Sequence, residues 1–279
     1  MKIFVTGGTG FIGSHVIKYL ANTNYQIIAL RRPGSKFRIR SVNSPSWIEK
    51  EINEINISDL KGIDSIIHLA TAGVSPQKAS WEELTEVNVN FGIKLIELAK
   101  NAGVRRFITS GTCMEYGNEH NYERIPPNAS LNPNNPYAAS KAAGFQILNA
   151  FAREENIELF YGRIFTAFGE GQFKKNLWPS LKNAAYKGID FEINSANQIR
   201  DFISVELVAS HICKALIRDD IQINNPKVVN IGSGIPMNVY QFAFKEWSKF
   251  NANGKLKVKD SFDEPSYNNM VADIKGLNF

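Results

Sequence analysis

Residues 2–20 read KIFVTGGTGFIGSHVIKYL. KIFVT, at 2–6, is a short apolar run of strand type; GGTGFIG follows at 7–13, and Val16, Ile17 and Leu20 then recur at helical spacing. Strand, glycine turn and helix in that order make a dinucleotide-binding unit. Gly7 permits the tight turn, Gly10 lets the backbone approach a pyrophosphate, and Gly13 lets the helix pack closely on the strand. The anion would then rest on the helix start at Phe11, Ile12 and Gly13, where N–H groups lack intrahelical acceptors and the helix dipole is positive.

Working outward, the pattern repeats. QIIAL at 26–30, DSIIHLATAG at 64–73 and RRFITSGT at 105–112 are further strand signals, the second with its own small-residue turn at Leu69 and Ala70. Between the last two, EELTEVNVNFGIKLIELAKNAG places Val87, Phe91, Leu95 and Leu98 on one helical face and stops at Gly103. Strands alternating with helices predict an α/β fold, a Rossmann-type doubly wound parallel sheet with helices on both faces.

The second strand ends on Arg31 and Arg32. An acidic residue there would accept hydrogen bonds from the ribose hydroxyls of NAD. A guanidinium instead offers a fork of donors to phosphate and a plane to stack on adenine, so the pair reads as a 2′-phosphate clamp and favours NADP(H), with NAD(H) still possible. The alternative is that they solvate a strand end.

Composition removes several classes. The 279 residues suffice for one large or two small domains, and 43% hydrophobic with 21% charged residues is too apolar for disorder. The net charge of +5 is mild, with no arginine-rich run or basic–aromatic alternation pointing to nucleic acid. Cys113 and Cys213 are the only cysteines, which gives no disulfide framework and no metal spacing. No stretch approaches the roughly 18 apolar residues of a membrane span, and no signal-peptide core opens the chain. The expectation is a cytoplasmic protein without metal, membrane or nucleic-acid partners, whose sequons at Asn56 and Asn128 stay silent.

Chemistry enters at PYAASKAAG, 136–144, where Tyr137 and Lys141 are four apart and share a helical face. An ammonium beside a phenol favours phenolate and brings it toward a useful acid/base range. Taken by itself the pattern is common on surfaces.

The ordered set GGTGFIG, HLATAG, SGTCMEYG, NPYAASK, RIFTAFG, RDFISV and VVNIGSG resembles the extended short-chain dehydrogenase/reductases, the NAD(P)-dependent nucleotide-sugar epimerase/dehydratase family, from residue 1 to about 275. The resemblance implies a Rossmann domain at 1–165 with a returning segment at about 199–235, and a small lobe at 166–198 and 236–279 that holds a nucleotide-diphosphate sugar. It implies Tyr137 as acid/base, Lys141 tuning it and holding the nicotinamide ribose, and Thr112 hydrogen-bonding the reacting sugar oxygen. Asn88 matches a position near the active-site backbone, with a helix-surface amide as its alternative; Arg200 matches a diphosphate-binding arginine, while Asp201 is expected to support the fold. Thr166 stands where the family's sugar-contacting asparagine is usual. A homodimer through the helices of 80–101 and 137–154 is also implied.

Departures from the family pattern narrow the chemistry. The 4,6-dehydratases carry Asp-Glu directly after the hydroxyl residue; here Cys113 and Met114 stand there and cannot remove a C5 proton. Cys113 is expected to be a buried structural thiol. The tail DEPSYNNMVADIKGLNF lacks the family's usual closing helix. Two readings remain within the family: NAD(P)H-dependent reduction of a 4-keto-6-deoxy nucleotide sugar, nearest to the CDP-paratose and CDP-abequose synthases, or 4-epimerisation with retained NAD. Outside catalysis, an NADP-binding redox sensor is the rival.

Overall fold

A computed structural model describes residues 1–36, 38, 45–74, 78–118, 121–259 and 269–277. Seven strands form one sheet: β1 (Lys2–Thr6), β2 (Gln26–Arg31), β3 (Ser46–Glu49), β4 (Ser65–His68), β5 (Arg106–Thr112), β6 (Glu158–Ile164) and β10 (Lys227–Ile231). Their spatial order is β10-β6-β5-β4-β1-β2-β3 and every pairing is parallel. The expected doubly wound sheet is thus present, in the order that reverses between β1 and β4, where open α/β sheets leave a ligand crevice beyond the strand ends.

The central strands are apolar throughout because both faces are covered. On one face α1 (Phe11–Leu20) and α6 (Val205–Lys214) pack with Ile3, Val5, Ile108 and Ile231. On the other, α3 (Phe91–Asn101) and α4 (Pro136–Glu154) bury Leu95, Ile96, Leu148 and Ala152 against Phe4, Ile66 and Phe107. Burying one such side chain completely stabilises the fold by roughly 1.5–3 kcal/mol.

Two smaller sheets lie outside this one. β7 (Thr166–Phe168), β9 (Ile199–Ser204) and β11 (Pro236–Asn238) form the order β11-β9-β7, and β8 (Phe191–Ile193) pairs with β12 (Leu256–Val258). With α5 (Leu177–Lys187) and α7 (Val239–Lys249) they build a separate apolar cluster around Leu181, Ile193, Ala243 and Trp247. Within the segment 199–235 only β10 joins the large sheet; β9 belongs to the three-stranded one. The expectation that no helix closes the tail falls largely on residues 260–268 and 278–279, outside the described residues.

The helix predicted over 82–103 is real but not uniform. α2 (Trp81–Thr85) passes through a π turn (Glu86–Asn90) into α3. The extra residue in that turn shifts the buried stripe, so Phe91, Gly92, Leu95, Ile96 and Ala99 face inward and Asn88 is buried, while Val87 and Leu98 are only half-buried. α4 approaches the turn closely: a Cβ at Gly144 would lie 2.4 Å from the Asn88 carbonyl oxygen.

Candidate active site

The glycine loop has the geometry its sequence predicts. Gly7 has φ +72° and accepts the Gly10 N–H at 2.9 Å, closing the turn. A Cβ at Gly13 would stand 2.0 Å from the Gly7 oxygen, so only glycine lets α1 start there. α1 carries no side-chain N-cap and no acidic residue in its first turn, leaving the N–H groups of Phe11, Ile12 and Gly13 open to an anion. Across the switch point, Leu69 and Ala70 each donate an N–H to Thr6 Oγ1 at 3.3 Å. Thr6 Oγ1, also 2.7 Å from His68 Nδ1, therefore gives that nitrogen its own proton. Burial, helped by the Lys141 charge, pulls His68 down to about 3 and keeps it neutral.

Thr112 ends β5, and its hydroxyl oxygen accepts the Met114 N–H at 3.3 Å as cap of a 3₁₀ turn (Cys113–Tyr116). Its side chain is also within hydrogen-bonding reach of the Cys113 thiol. Tyr137 stands at the start of α4, which opens on Pro136 and is capped by Asn135 Oδ1 accepting Ala138 N–H at 2.9 Å. Its phenol lies within hydrogen-bonding reach of the Thr71 hydroxyl and near Cys113 and Glu115. Lys141, one turn on, is 9% exposed, and its ammonium has no hydrogen-bond acceptor among the described residues. A buried cation in that state fits the hydroxyls of a ribose.

The electrostatics run against one expectation. Burial first, and the Glu115 carboxylate second, push the Tyr137 phenol well above its ordinary range, and the Lys141 ammonium does not offset them. Burial in turn pulls Lys141 down while Glu115 pushes it back up. The resting site therefore holds a neutral phenol.

Asn88 is not a surface amide. Its Oδ1 accepts Thr71 Oγ1–H and Ala72 N–H, both at 2.9 Å, and its Nδ2 donates to Ser140 Oγ at 2.9 Å and Ala72 O at 3.1 Å. Ser140 Oγ donates onward to the Tyr137 carbonyl at 2.8 Å. The Asn88 side chain is thus fully used inside the protein; it ties the segment after β4 to α4 without a free atom to offer.

Beneath the site lies a pair that sequence reasoning missed. Glu115, 0% exposed, accepts from Arg163 Nε at 2.7 Å, Tyr161 Oη at 2.8 Å and Thr112 N at 2.8 Å. Arg163, 1% exposed, also donates to Tyr116 Oη and Pro127 O, with its guanidinium 4.4 Å from the Phe145 ring centroid. Both residues lay in quoted motifs, SGTCMEYG and RIFTAFG, but nothing in either marks two opposite charges as meeting across β5 and β6.

Of the remaining expected residues, Arg200 on β9 stands near the Cys113 thiol, with Nε and Nη2 held by Gln198 Oε1 at 3.2 and 2.6 Å. Thr166 opens β7, half-buried and paired with Phe202. Asp201 accepts from Ser233 N and Oγ, Gly234 N and Ala272 N, which makes it a structural anchor. Cys113 is buried, its thiol pushed up to about 12. Arg31 is ion-paired to Glu49 at 2.7 Å and lies 5.9 Å from the Trp47 ring centroid, whereas Arg32 is exposed. No group of three or more metal-ligating side chains occurs among the described residues, and no described helix is long and apolar enough to cross a membrane.

Comparison with known proteins agrees with this geometry. The model of the NAD dependent epimerase/dehydratase family matches residues 3–232. The chain is 28% identical over 249 residues to a putative UDP-glucose 4-epimerase of Methanocaldococcus jannaschii, covering 83% of this chain and 77% of that one. It is 26% identical over 224 residues to the CDP-abequose synthase of Salmonella muenchen, covering 77% and 70%. The solved structure of MoeE5 in complex with UDP-glucuronic acid and NAD superimposes with a TM-score of 0.81 at 25% identity, over 99% of this chain and 91% of that one. A doubly wound sheet, a glycine turn under a bare helix start and a Tyr-x-x-x-Lys helix define an NAD-dependent enzyme of the extended short-chain dehydrogenase/reductase kind. This chain belongs to the NAD dependent epimerase/dehydratase family.

Proposed function

We propose that the protein reduces the C4 carbonyl of a nucleotide-diphosphate 4-keto-6-deoxy sugar, with Tyr137 as proton donor. The observation that carries the reading is that Tyr137 and Lys141 stand one turn apart at the start of α4, with the phenol near Cys113 and Glu115 of the 3₁₀ turn that Thr112 caps. When bound, the nicotinamide supplies the hydride. Phe11, Ile12 and Gly13 would hold its pyrophosphate and Lys141 its ribose. Tyr137 gives its proton to the oxygen at C4, and Thr112, whose oxygen is already engaged by Met114, donates to the same atom and orients it. A resting phenol suits donation, the direction reduction needs.

Cys113 and Met114 argue against dehydration, since neither a buried thiol nor a thioether removes a C5 proton at neutral pH. Thr166 from the small lobe at 166–198 and 236–279, and Arg200 from the segment at 199–235, would meet the diphosphate sugar. The cofactor preference in this proposal is NADP(H), with Arg32 as the open cation at the end of β2 and Arg31 shared with Glu49. That same ion pair supports a second reading, a 4-epimerase that retains NAD, because it leaves a carboxylate at the edge where a 2′-phosphate would sit. A homodimer in the cytoplasm completes the proposal.

The test is a panel of CDP-, dTDP-, GDP- and UDP-linked 4-keto-6-deoxy sugars followed by nicotinamide absorbance. Stoichiometric consumption with one of them supports reduction. Consumption with none, alongside interconversion of two 4-hydroxy sugars, supports epimerisation.

A further inference from the structure

Thr71 stands beside the Tyr137 phenol and heads a chain of hydrogen bonds back to the Tyr137 backbone that no expected role accounts for. From Thr71 Oγ1 the chain runs through Asn88 and Ser140 to the Tyr137 carbonyl, in steps of 2.9, 2.9 and 2.8 Å. Asn88, Ser140 and their contacts are buried, while Thr71 itself faces open space at the end of β4. Its hydroxyl has one proton and two oxygens to give it to. Asn88 Oδ1 keeps the Ala72 N–H whether or not Thr71 donates to it, so the Thr71 proton is free to turn.

We infer that Thr71 is a positioning residue for Tyr137, holding the phenol while it is protonated and turning its own O–H onto the phenolate once the proton has gone. The inference rests on the reading of Tyr137 as proton donor. In the resting state Tyr137 O–H points to Thr71 Oγ1 and Thr71 O–H to Asn88 Oδ1. The Tyr137 O–H bond breaks as a new O–H bond forms on the sugar oxygen, whose carbon receives hydride from the reduced nicotinamide. Thr71 then rotates; none of its own bonds breaks, and a charge-assisted hydrogen bond replaces a neutral one.

Two substitutions separate this role from simple packing. Thr71→Val keeps the shape and deletes the hydroxyl; Thr71→Ser keeps the hydroxyl. With protein carrying ¹³Cζ-labelled tyrosine and saturated with NADP⁺, the Tyr137 resonance is assigned by its loss in Tyr137→Phe and titrated against pH. The expected midpoint rises by about one unit in Thr71→Val and stays at the wild-type value in Thr71→Ser. On the sugar that wild type reduces, kcat falls about tenfold or more in Thr71→Val with KM for the nicotinamide unchanged, and the serine variant restores it. Thr71→Ala gives the same two readings at an exposed position should valine fail to fit. Wild-type midpoint and kcat in both hydroxyl-less variants would overturn the inference. If wild type reduces no sugar of the panel, the function proposal falls, while the titration midpoints still decide the role of Thr71.

Discussion

Arg31 Nη2 lies 2.7 Å from Glu49 Oε2, across the parallel pair β2–β3. The cation that reads from sequence as a phosphate clamp is therefore already paired with a carboxylate, and under the proposed function the two charges together would set which nicotinamide dinucleotide the edge prefers. Glu49→Gln removes the competing anion and is expected to tighten NADPH relative to NADH by about three- to tenfold, whereas Arg31→Asp shifts the ratio the opposite way. Titration calorimetry of both dinucleotides reads the ratio directly. An unchanged ratio in both variants would return Arg31 to solvating a strand end.

Under the proposed function, Tyr137→Phe removes the proton donor and leaves the ring. Turnover is expected to fall by about 10²–10⁴-fold with nicotinamide affinity within about twofold of wild type. Retained turnover would remove Tyr137 from the chemistry.

Gly13→Ala puts a methyl group 2.0 Å from the Gly7 oxygen, where α1 meets the loop. Overpacking of this kind costs about 1–3 kcal/mol and displaces the loop. Both urea stability and dinucleotide affinity should drop; full retention of both would mean that the loop yields without cost.

Glu115 and Arg163 stand opposite in charge and almost fully buried. Removing one partner strands the other, so Glu115→Gln and Arg163→Met are each expected to lose about 3–5 kcal/mol of stability. The double variant should lose less than the sum of the singles, measured by chemical denaturation as a double-mutant cycle.

His68 supplies a pH signature. Its folded value of about 3 lies below the ordinary 6.5, so the unfolded chain binds the proton first as pH falls. Its contribution is complete above about pH 6.5 and is lost progressively down to about pH 3, with a slope near 1.4 kcal/mol per pH unit inside that window. His68→Asn should flatten the acid side of the stability profile by up to that slope. An identical profile would mean that the imidazole is protonated in the folded protein.

Much of this molecule was legible in its sequence, and the reasons are local. Gly7 and Gly13 sit where the backbone leaves no room for a Cβ, the strands repeat as apolar runs, and Tyr137 and Lys141 are fixed to one face by helical spacing. What escaped depends on contacts between distant residues. The π turn at Glu86–Asn90 leaves no periodicity signal, yet it carries Asn88 inward. Glu115 meets Arg163 48 positions later only because β5 and β6 are neighbours. Arg31 finds Glu49 for the same reason on β2 and β3. Thr71, between Ala70 and Ala72 after β4, gives no signal of its own in the sequence, because its partner Asn88 is brought beside it only by the fold.

Under the proposed function, hydride is delivered once and stays at C4. Running the reaction with nicotinamide dinucleotide deuterated at the transferred position and a 4-keto-6-deoxy nucleotide sugar, then locating the deuterium by NMR, reads this step. One deuterium is expected at C4 of a product alcohol for each nicotinamide oxidised. A 4-hydroxy sugar inverted at C4 by the enzyme's own retained NAD, with no deuterium gained and no net oxidation, would contradict it.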